Sequence, residues 1–326
     1  MPAHAQTGRP WVIAAPREAL VHLAPLIEAR ERLQPVITLP DKTEETLAEP
    51  AAILPADTAG LLVVGPRRRS PGRLVPGLFV QAAHGHGVPV GWLPDVGESL
   101  GLYARAAARA LTRSRHERTL AVLGQWEHRF LRVSLRTRRW FEKHACPLPV
   151  RLWTADRISR EGMLEALRLG IGTAMYFGHG RPRGWAGYHG VRAYHFDTPW
   201  PEPLGALLAI CCESASRRNT GLSFIEALAL RGVFAGAMAA VSKTRHEDNR
   251  LWGRTLCEIL SADAPSTLGE LVGSPRIPAC LTKRTPYRLI GDPLAPLAGA
   301  PGSAEAAAAV FAPAPDDSLP AWEATG

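Results

Sequence analysis

Tyr176-Phe-Gly-His-Gly180 and Leu207-Leu-Ala-Ile-Cys-Cys-Glu-Ser214 decide how this chain folds. Each is a short apolar run that stops at a reactive side chain, His179 in the first and Cys211-Cys212 in the second. Apolar runs of that length read as strands buried on both faces of a parallel sheet. In an open parallel sheet, ligands bind in the crevice beyond the carboxyl ends of the strands. Two neighbouring strands would therefore bring an imidazole and a thiol to one crevice. A Cys-His nucleophilic hydrolase requires that pairing.

The flanking sequence repeats the alternation of strand and helix. Before Ser114 the expected strands are Trp11–Ala14, Val36–Leu39, Leu61–Val64 and Val88–Leu93, and the expected helices are Arg17–Leu33 and Gly101–Thr112. The rhythm then restarts, with strands at Thr119–Leu123, Pro149–Trp153, Ile171–Phe177, Leu204–Ile210, Val233–Val241 and Arg288–Ile290. Helices are expected at Trp126–Lys143, Ser159–Leu169, Phe224–Leu230, Asn249–Leu260 and Thr267–Val272. Strands alternating with helices imply an α/β fold with a parallel sheet and helices on its faces. The restart divides the chain into an α/β unit over 1–114 and a second over 115–298. Residues 299–326 are rich in Ala, Pro, Gly and acidic residues without apolar periodicity, and are expected to form a disordered, low-complexity tail.

Composition narrows the class. No apolar run is long enough to span a bilayer, and MPAHAQTGRP lacks an apolar signal core, so a cytoplasmic protein is expected. An odd count of 5 cysteines, two of them adjacent, argues against a disulfide framework and for a compartment where a thiol stays reactive. The net charge of +8 comes mainly from arginine, densest from Arg105 to Arg139. That stretch reads as solvated helix faces or as a surface for an anionic partner. Without a nucleic-acid motif or interleaved aromatics, nucleic acid is not the expected partner. His179, His189, His195 and His246 match no metal-ligand spacing, so no metal is expected.

Further stretches make the reading specific: Phe224-Ile-Glu-Ala-Leu228 followed by Gly232 and Gly236-Ala237, and Tyr287-Arg-Leu-Ile-Gly-Asp-Pro-Leu294. With the histidine and cysteine segments they span roughly residues 118–297, and the whole resembles the caspase-fold (clan CD) cysteine peptidases, within them the gingipain-type and CHAT-type branch. The resemblance implies a caspase-like parallel sheet flanked by helices, preceded by a smaller non-catalytic α/β subdomain. It assigns proton transfer to His179. Cys212-Glu213-Ser214-Ala215 fits the family frame for the nucleophile, with Cys211 standing where alanine is common. The backbone N–H groups of Gly180 and Cys212 become the oxyanion donors. The implied protein is an endopeptidase acting on protein substrates without a cofactor. Control by a regulatory protein or by self-cleavage, within a bacterial defence or cell-death system, follows from the same likeness. The alternative is an inactive caspase-like scaffold, or an interaction module using the basic surface.

Specificity stays open at this level. In Gln125-Trp-Glu-His-Arg129, Glu127 suits a basic substrate side chain, whereas Arg129, or Arg132 beyond it, suits an acidic one. Trp185 and Trp200 read equally as pocket walls or as packing, and Asp292 as a structural turn residue.

Overall fold

The computed structural model describes residues 8–113, 117–144, 148–196 and 200–310. The first half supplies strands β1 (Trp11–Ala15), β2 (Val36–Pro40), β3 (Gly60–Pro66), β4 (Phe79–Gln81) and β5 (Gly87–Asp95). The second supplies β6 (Leu120–Gly124), β7 (Val150–Thr154), β8 (Thr173–Phe177), β9 (Gly180–Arg181), β10 (Gly184–Trp185), β11 (Val191–Arg192), β12 (Leu204–Ile210), β13 (Phe234–Ala240) and β14 (Tyr287–Gly291). One sheet runs through both halves in the order β2-β1-β3-β5-β14-β13-β12-β8-β6-β7, with β4 on the side of β5. A second, small sheet of β9, β10 and β11 follows His179.

The α/β expectation holds, with one refinement. The large sheet is mostly parallel, but β14 runs antiparallel to β13 and parallel to β5, so its two halves point in opposite directions. The connection after β13 explains the reversal. Helix His246–Ala262 carries the chain to the far edge, where Thr267 bridges Pro296. Residues 268–286 bring it back, and the Val241 N–H bonds the Pro286 carbonyl at 2.9 Å. The chain therefore enters β14 from the edge it left.

Helices on both faces explain why β8, β12 and β13 are buried along their whole length. Helix Arg17–Glu31 packs on helix Glu98–Thr112, and helix His128–Lys143 packs on helix His246–Ala262. The inward stripe of His128–Lys143 is Phe130, Val133, Thr137 and Phe141, while Arg132, Arg136 and Arg139 face solvent. Its basic character is thus an exposed face on an amphipathic helix. Short elements such as Thr43–Ala48, Pro71–Leu74, Ala279–Arg284 and the β9–β11 sheet have too few residues to show a period in sequence. Ser303–Val310, within the stretch expected as a tail, is a helix; residues 311–326 lie outside the described ones. No described helix is long and apolar enough to cross a membrane.

The Gly-Asp-Pro segment is part of the core. Asp292 is buried and paired with the buried Arg30 of the first helix, whose Nε lies 3.1 Å from Oδ2. Asp292 Oδ1 accepts the Leu294 N–H at 2.9 Å, closing the turn.

Candidate active site

β12 pairs with β8 so that Ile210 lies opposite Phe177. The chain leaves both strands at one level, and His179 and Cys212 emerge side by side at the same sheet edge. Gly180 then packs on the segment after β12. A Cβ there would lie 2.1 Å from the Cys212 carbonyl oxygen and 2.6 Å from Cys211 Sγ. Only a residue without a side chain permits that approach.

The loop after β6 holds the histidine. The Gln125 N–H bonds the Phe177 carbonyl at 2.9 Å, extending the ladder past the strand end. The Gln125 side-chain oxygen accepts the His179 N–H at 2.7 Å, and its amide nitrogen donates to Glu127 Oε1 at 3.1 Å. Glu127 Oε1 lies 3.0 Å from His179 Nε2, and Arg129 Nη2 lies 2.6 Å from the same nitrogen. Glu127 and Arg129 also pair with each other at 2.9 Å. One ring nitrogen cannot accept and donate at once. In the neutral ring with its proton on Nδ1, Nε2 accepts from Arg129; in the imidazolium, Nε2–H donates to Glu127. The Glu127–Arg129 pair accommodates either form of the ring. Phe130 packs edge-on against the imidazole, centroids 5.2 Å apart.

Cys212 is half-buried, and its Sγ lies 3.3 Å from Thr244 Oγ1. The Thr244 N–H donates to the sulfur at 3.4 Å. Asn249 Nδ2 donates to Thr244 Oγ1 at 2.9 Å, and the Tyr287 hydroxyl donates to Asn249 Oδ1 at 2.9 Å. Either the Thr244 hydroxyl or the Cys212 thiol can donate across that contact, and the Thr244 carbonyl oxygen lies 3.5 Å from the same sulfur. Thr244 therefore offers a thiolate its N–H and, when turned that way, its hydroxyl, and offers a neutral thiol its carbonyl as acceptor.

The turn after the thiol is unusual. Glu213 has φ of 52°, a left-handed backbone that is costly for a residue with a side chain. The Glu213 and Ala215 N–H groups bond the Ser242 and Ala240 carbonyls at 3.1 and 2.9 Å. Among the described backbone hydrogen bonds, the Cys212 N–H has no acceptor. A free donor therefore sits beside the thiol.

The remaining cysteines are unlike Cys212. Cys211 is fully buried, and burial pushes its thiol up to about 12, so it stays protonated at neutral pH. Burial does the same to Cys257, again to about 12. Cys280 is exposed, and Cys146 lies outside the described residues.

Some expected substrate contacts are otherwise engaged. Trp185 is 1% exposed, stacked on Tyr176 with centroids 4.2 Å apart and edge-on to Phe224 at 5.2 Å. It packs beneath the site and offers no face to a ligand. Trp200 is likewise buried, against Phe196. Glu127 and Arg129 are turned to each other and to the imidazole. Among the described residues no group of three or more His, Cys, Asp and Glu could hold a metal ion.

Gln125, Thr244 and Asn249 gain roles that the sequence reading did not give them. The strand before Thr244 was legible, and its carboxyl end belongs to the same edge. The loop beyond it was the signal passed over.

A family model for peptidase family C25 matches residues 136–298, half of the chain. Its span includes His179, Cys212 and the Gly-Asp-Pro segment, and begins after Glu127. No curated protein matches the sequence. Among solved structures, the Arg-specific cysteine proteinase gingipain R (RgpB) matches with a TM-score of 0.66 at 14% identity, over 90% of this chain and 79% of that one. The complex of Porphyromonas gingivalis RgpB pro- and mature domains matches with a TM-score of 0.64 at 13% identity, over 88% and 79%. At such identities the likeness is one of fold.

Proposed function

From the premise that the chain belongs to peptidase family C25 and is a cysteine-type peptidase, we propose that Cys212 and His179 form its catalytic dyad and cleave peptide bonds in protein substrates. One observation supports the assignment most: the Ile210–Phe177 register, with Gly180 packed on the Cys212 carbonyl, brings the segments that carry His179 and the half-buried Cys212 to one sheet edge.

The steps follow from the groups present. His179 takes the thiol proton, Cys212 Sγ attacks the scissile carbonyl carbon, and the carbonyl electron pair moves onto oxygen. The oxyanion accepts from the N–H groups of Cys212 and Gly180. His179 gives its proton to the departing amine as the C–N bond breaks, leaving a thioester. A water that loses its proton to His179 then hydrolyses the thioester and frees the acid. Thr244 holds the sulfur between turnovers. Glu127 orients the imidazole, a role its 3.0 Å contact supports better than the substrate contact expected from sequence.

On the same reading, residues 1–114 form the non-catalytic subdomain and 115–298 the catalytic one, every reactive group arising after β6. Control by a partner segment is supported by the similar structure of pro- and mature domains in complex. A cytoplasmic role in bacterial defence under such control completes the proposal.

Alkylation tests the dyad without a known substrate. Site-resolved mass spectrometry after iodoacetamide treatment is expected to show Cys212 reacting at least about tenfold faster than the more exposed Cys280. His179→Ala should remove the difference. Equal rates at the two sites in the unmutated protein would sink the assignment.

Gly180→Ala is expected to lower kcat/KM on a peptide mixture by at least about 100-fold, because the new methyl displaces the Cys212 carbonyl and with it an oxyanion donor. Retained activity in a folded Gly180→Ala protein would separate Gly180 from the oxyanion site.

A further inference from the structure

The charges around the crevice point to the kind of peptide it takes. Two acidic residues adjoin the dyad, and both are occupied. Glu127 is held by Arg129 and the His179 ring, and Glu213 lies 3.6 Å from Arg218. The basic residues on the two walls are exposed, and three of them carry no ion pair or side-chain hydrogen bond among the described residues: Arg181, Lys243 and Arg245. Arg181 follows His179 by two positions, at the end of the short strand that begins at Gly180, and its side chain is exposed. Lys243 and Arg245 flank Thr244, the residue that touches Cys212 Sγ. His246, one position on, packs edge-on to Phe130 at 6.0 Å, as His179 does from the ring's other contact at 5.2 Å. One basic segment thus follows the histidine and the other flanks the residue that touches the thiol, and both histidines pack on the same Phe130 ring. The exposed Glu247 offsets one of these charges and leaves the rim positive.

Resting on the peptidase reading above, we infer that this crevice selects peptides with acidic side chains beside the scissile bond, held between Arg181 on one wall and Lys243 and Arg245 on the other. A carboxylate entering there gains two or three unpaired cations. A lysine or arginine meets the same cations and finds no free carboxylate except Glu247. Discrimination then comes as much from repulsion of the wrong peptide as from attraction of the right one. The cations are exposed, so solvent ions weaken the preference.

The test uses two fluorogenic peptides identical except for Asp and Glu, or Lys and Arg, on either side of one cleavable bond. The acidic peptide is expected to show at least about tenfold higher kcat/KM at low salt, a ratio that shrinks as salt rises. In the triple variant Arg181→Glu, Lys243→Glu, Arg245→Glu the ratio should fall to unity or invert. Preference for the basic peptide, or a ratio unmoved by the charge reversal, overturns the inference. Cleavage of unfolded casein and alkylation of Cys212 are read in parallel. If both persist while the charge preference is absent, this inference alone fails. If neither occurs, the dyad assignment falls and the inference with it.

Discussion

Cys212→Ala is expected to abolish peptide-bond cleavage, lowering kcat by about 10⁴-fold or more, while Cys211→Ala keeps it. The two sulfurs are consecutive in sequence but occupy different environments. Cys212 is half-buried, touches Thr244 and has its own N–H without an acceptor among the described backbone hydrogen bonds. Cys211 is sealed beneath Gly180 and Trp185, and burial pushes its thiol up to about 12. Removing the Cys212 sulfur removes the atom that bonds the substrate, which the oxyanion donors alone cannot replace. Removing the Cys211 sulfur opens a small cavity in the core and is expected to cost about 1 kcal/mol of stability. His179→Ala should fall between, with a loss of about 10²–10⁴-fold, because the thiol remains but its proton shuttle is gone. Steady-state kinetics on casein-derived peptides, with thermal melts as a folding control, check all three. Loss of cleavage in Cys211→Ala with retention in Cys212→Ala would reverse the assignment.

The strands that carry this chemistry were legible because they are buried on both faces. Leu204–Ile210 and Thr173–Phe177 are continuous apolar runs, and a run that ends in Gly-His-Gly or Cys-Cys-Glu marks where the chain leaves the sheet. The start of the helix expected at Ser159–Leu169 has a local reason as well, since a serine there can cap it, and Ser159 accepts the Gly162 N–H at 3.1 Å. What the sequence could not reveal depends on contacts between distant segments. The reversal at β14 is set by where residues 268–286 lie, and no local period encodes that. The role of Glu127 depended on whether its carboxylate met a substrate or the imidazole, and its side chain was free to do either until the fold brought His179 within 3.0 Å. Trp185 reads equally as a pocket wall or as packing, because a local stretch of sequence does not say what the indole meets. Its stacking on Tyr176 decides for packing.

Glu226→Ala is expected to destabilise the protein by about 3–5 kcal/mol, with a fall in melting temperature of roughly 5–10 °C. The side chain of Glu226 is fully buried, and its carboxylate is a junction of both halves of the molecule. Arg217 donates to it twice, at 2.7 and 2.6 Å. Ser223 donates through its N–H and its hydroxyl, both at 2.9 Å, and Trp92 of β5 donates through its indole N–H at 2.9 Å. Arg217 in turn bonds the carbonyls of Arg67 and Arg69 beyond β3. Alanine would leave a nearly buried guanidinium and an indole N–H without an acceptor, and would break the cap of helix Phe224–Leu230. Most of the loss is that exposed debt of unpaired groups, not the intrinsic strength of the ion pair. Replacing both partners, Arg217→Met with Glu226→Gln, is therefore expected to cost about 1–3 kcal/mol less than the sum of the two single changes. Urea melts of the four proteins measure that coupling. A Glu226→Ala protein within about 1 kcal/mol of the unmutated one would mean that the junction is dispensable. The loop from Glu213 to Ser223 would then be held in place beside the thiol by its remaining bonds, among them those of the Glu213 and Ala215 N–H groups to Ser242 and Ala240 and of Arg217 to the Arg67 and Arg69 carbonyls.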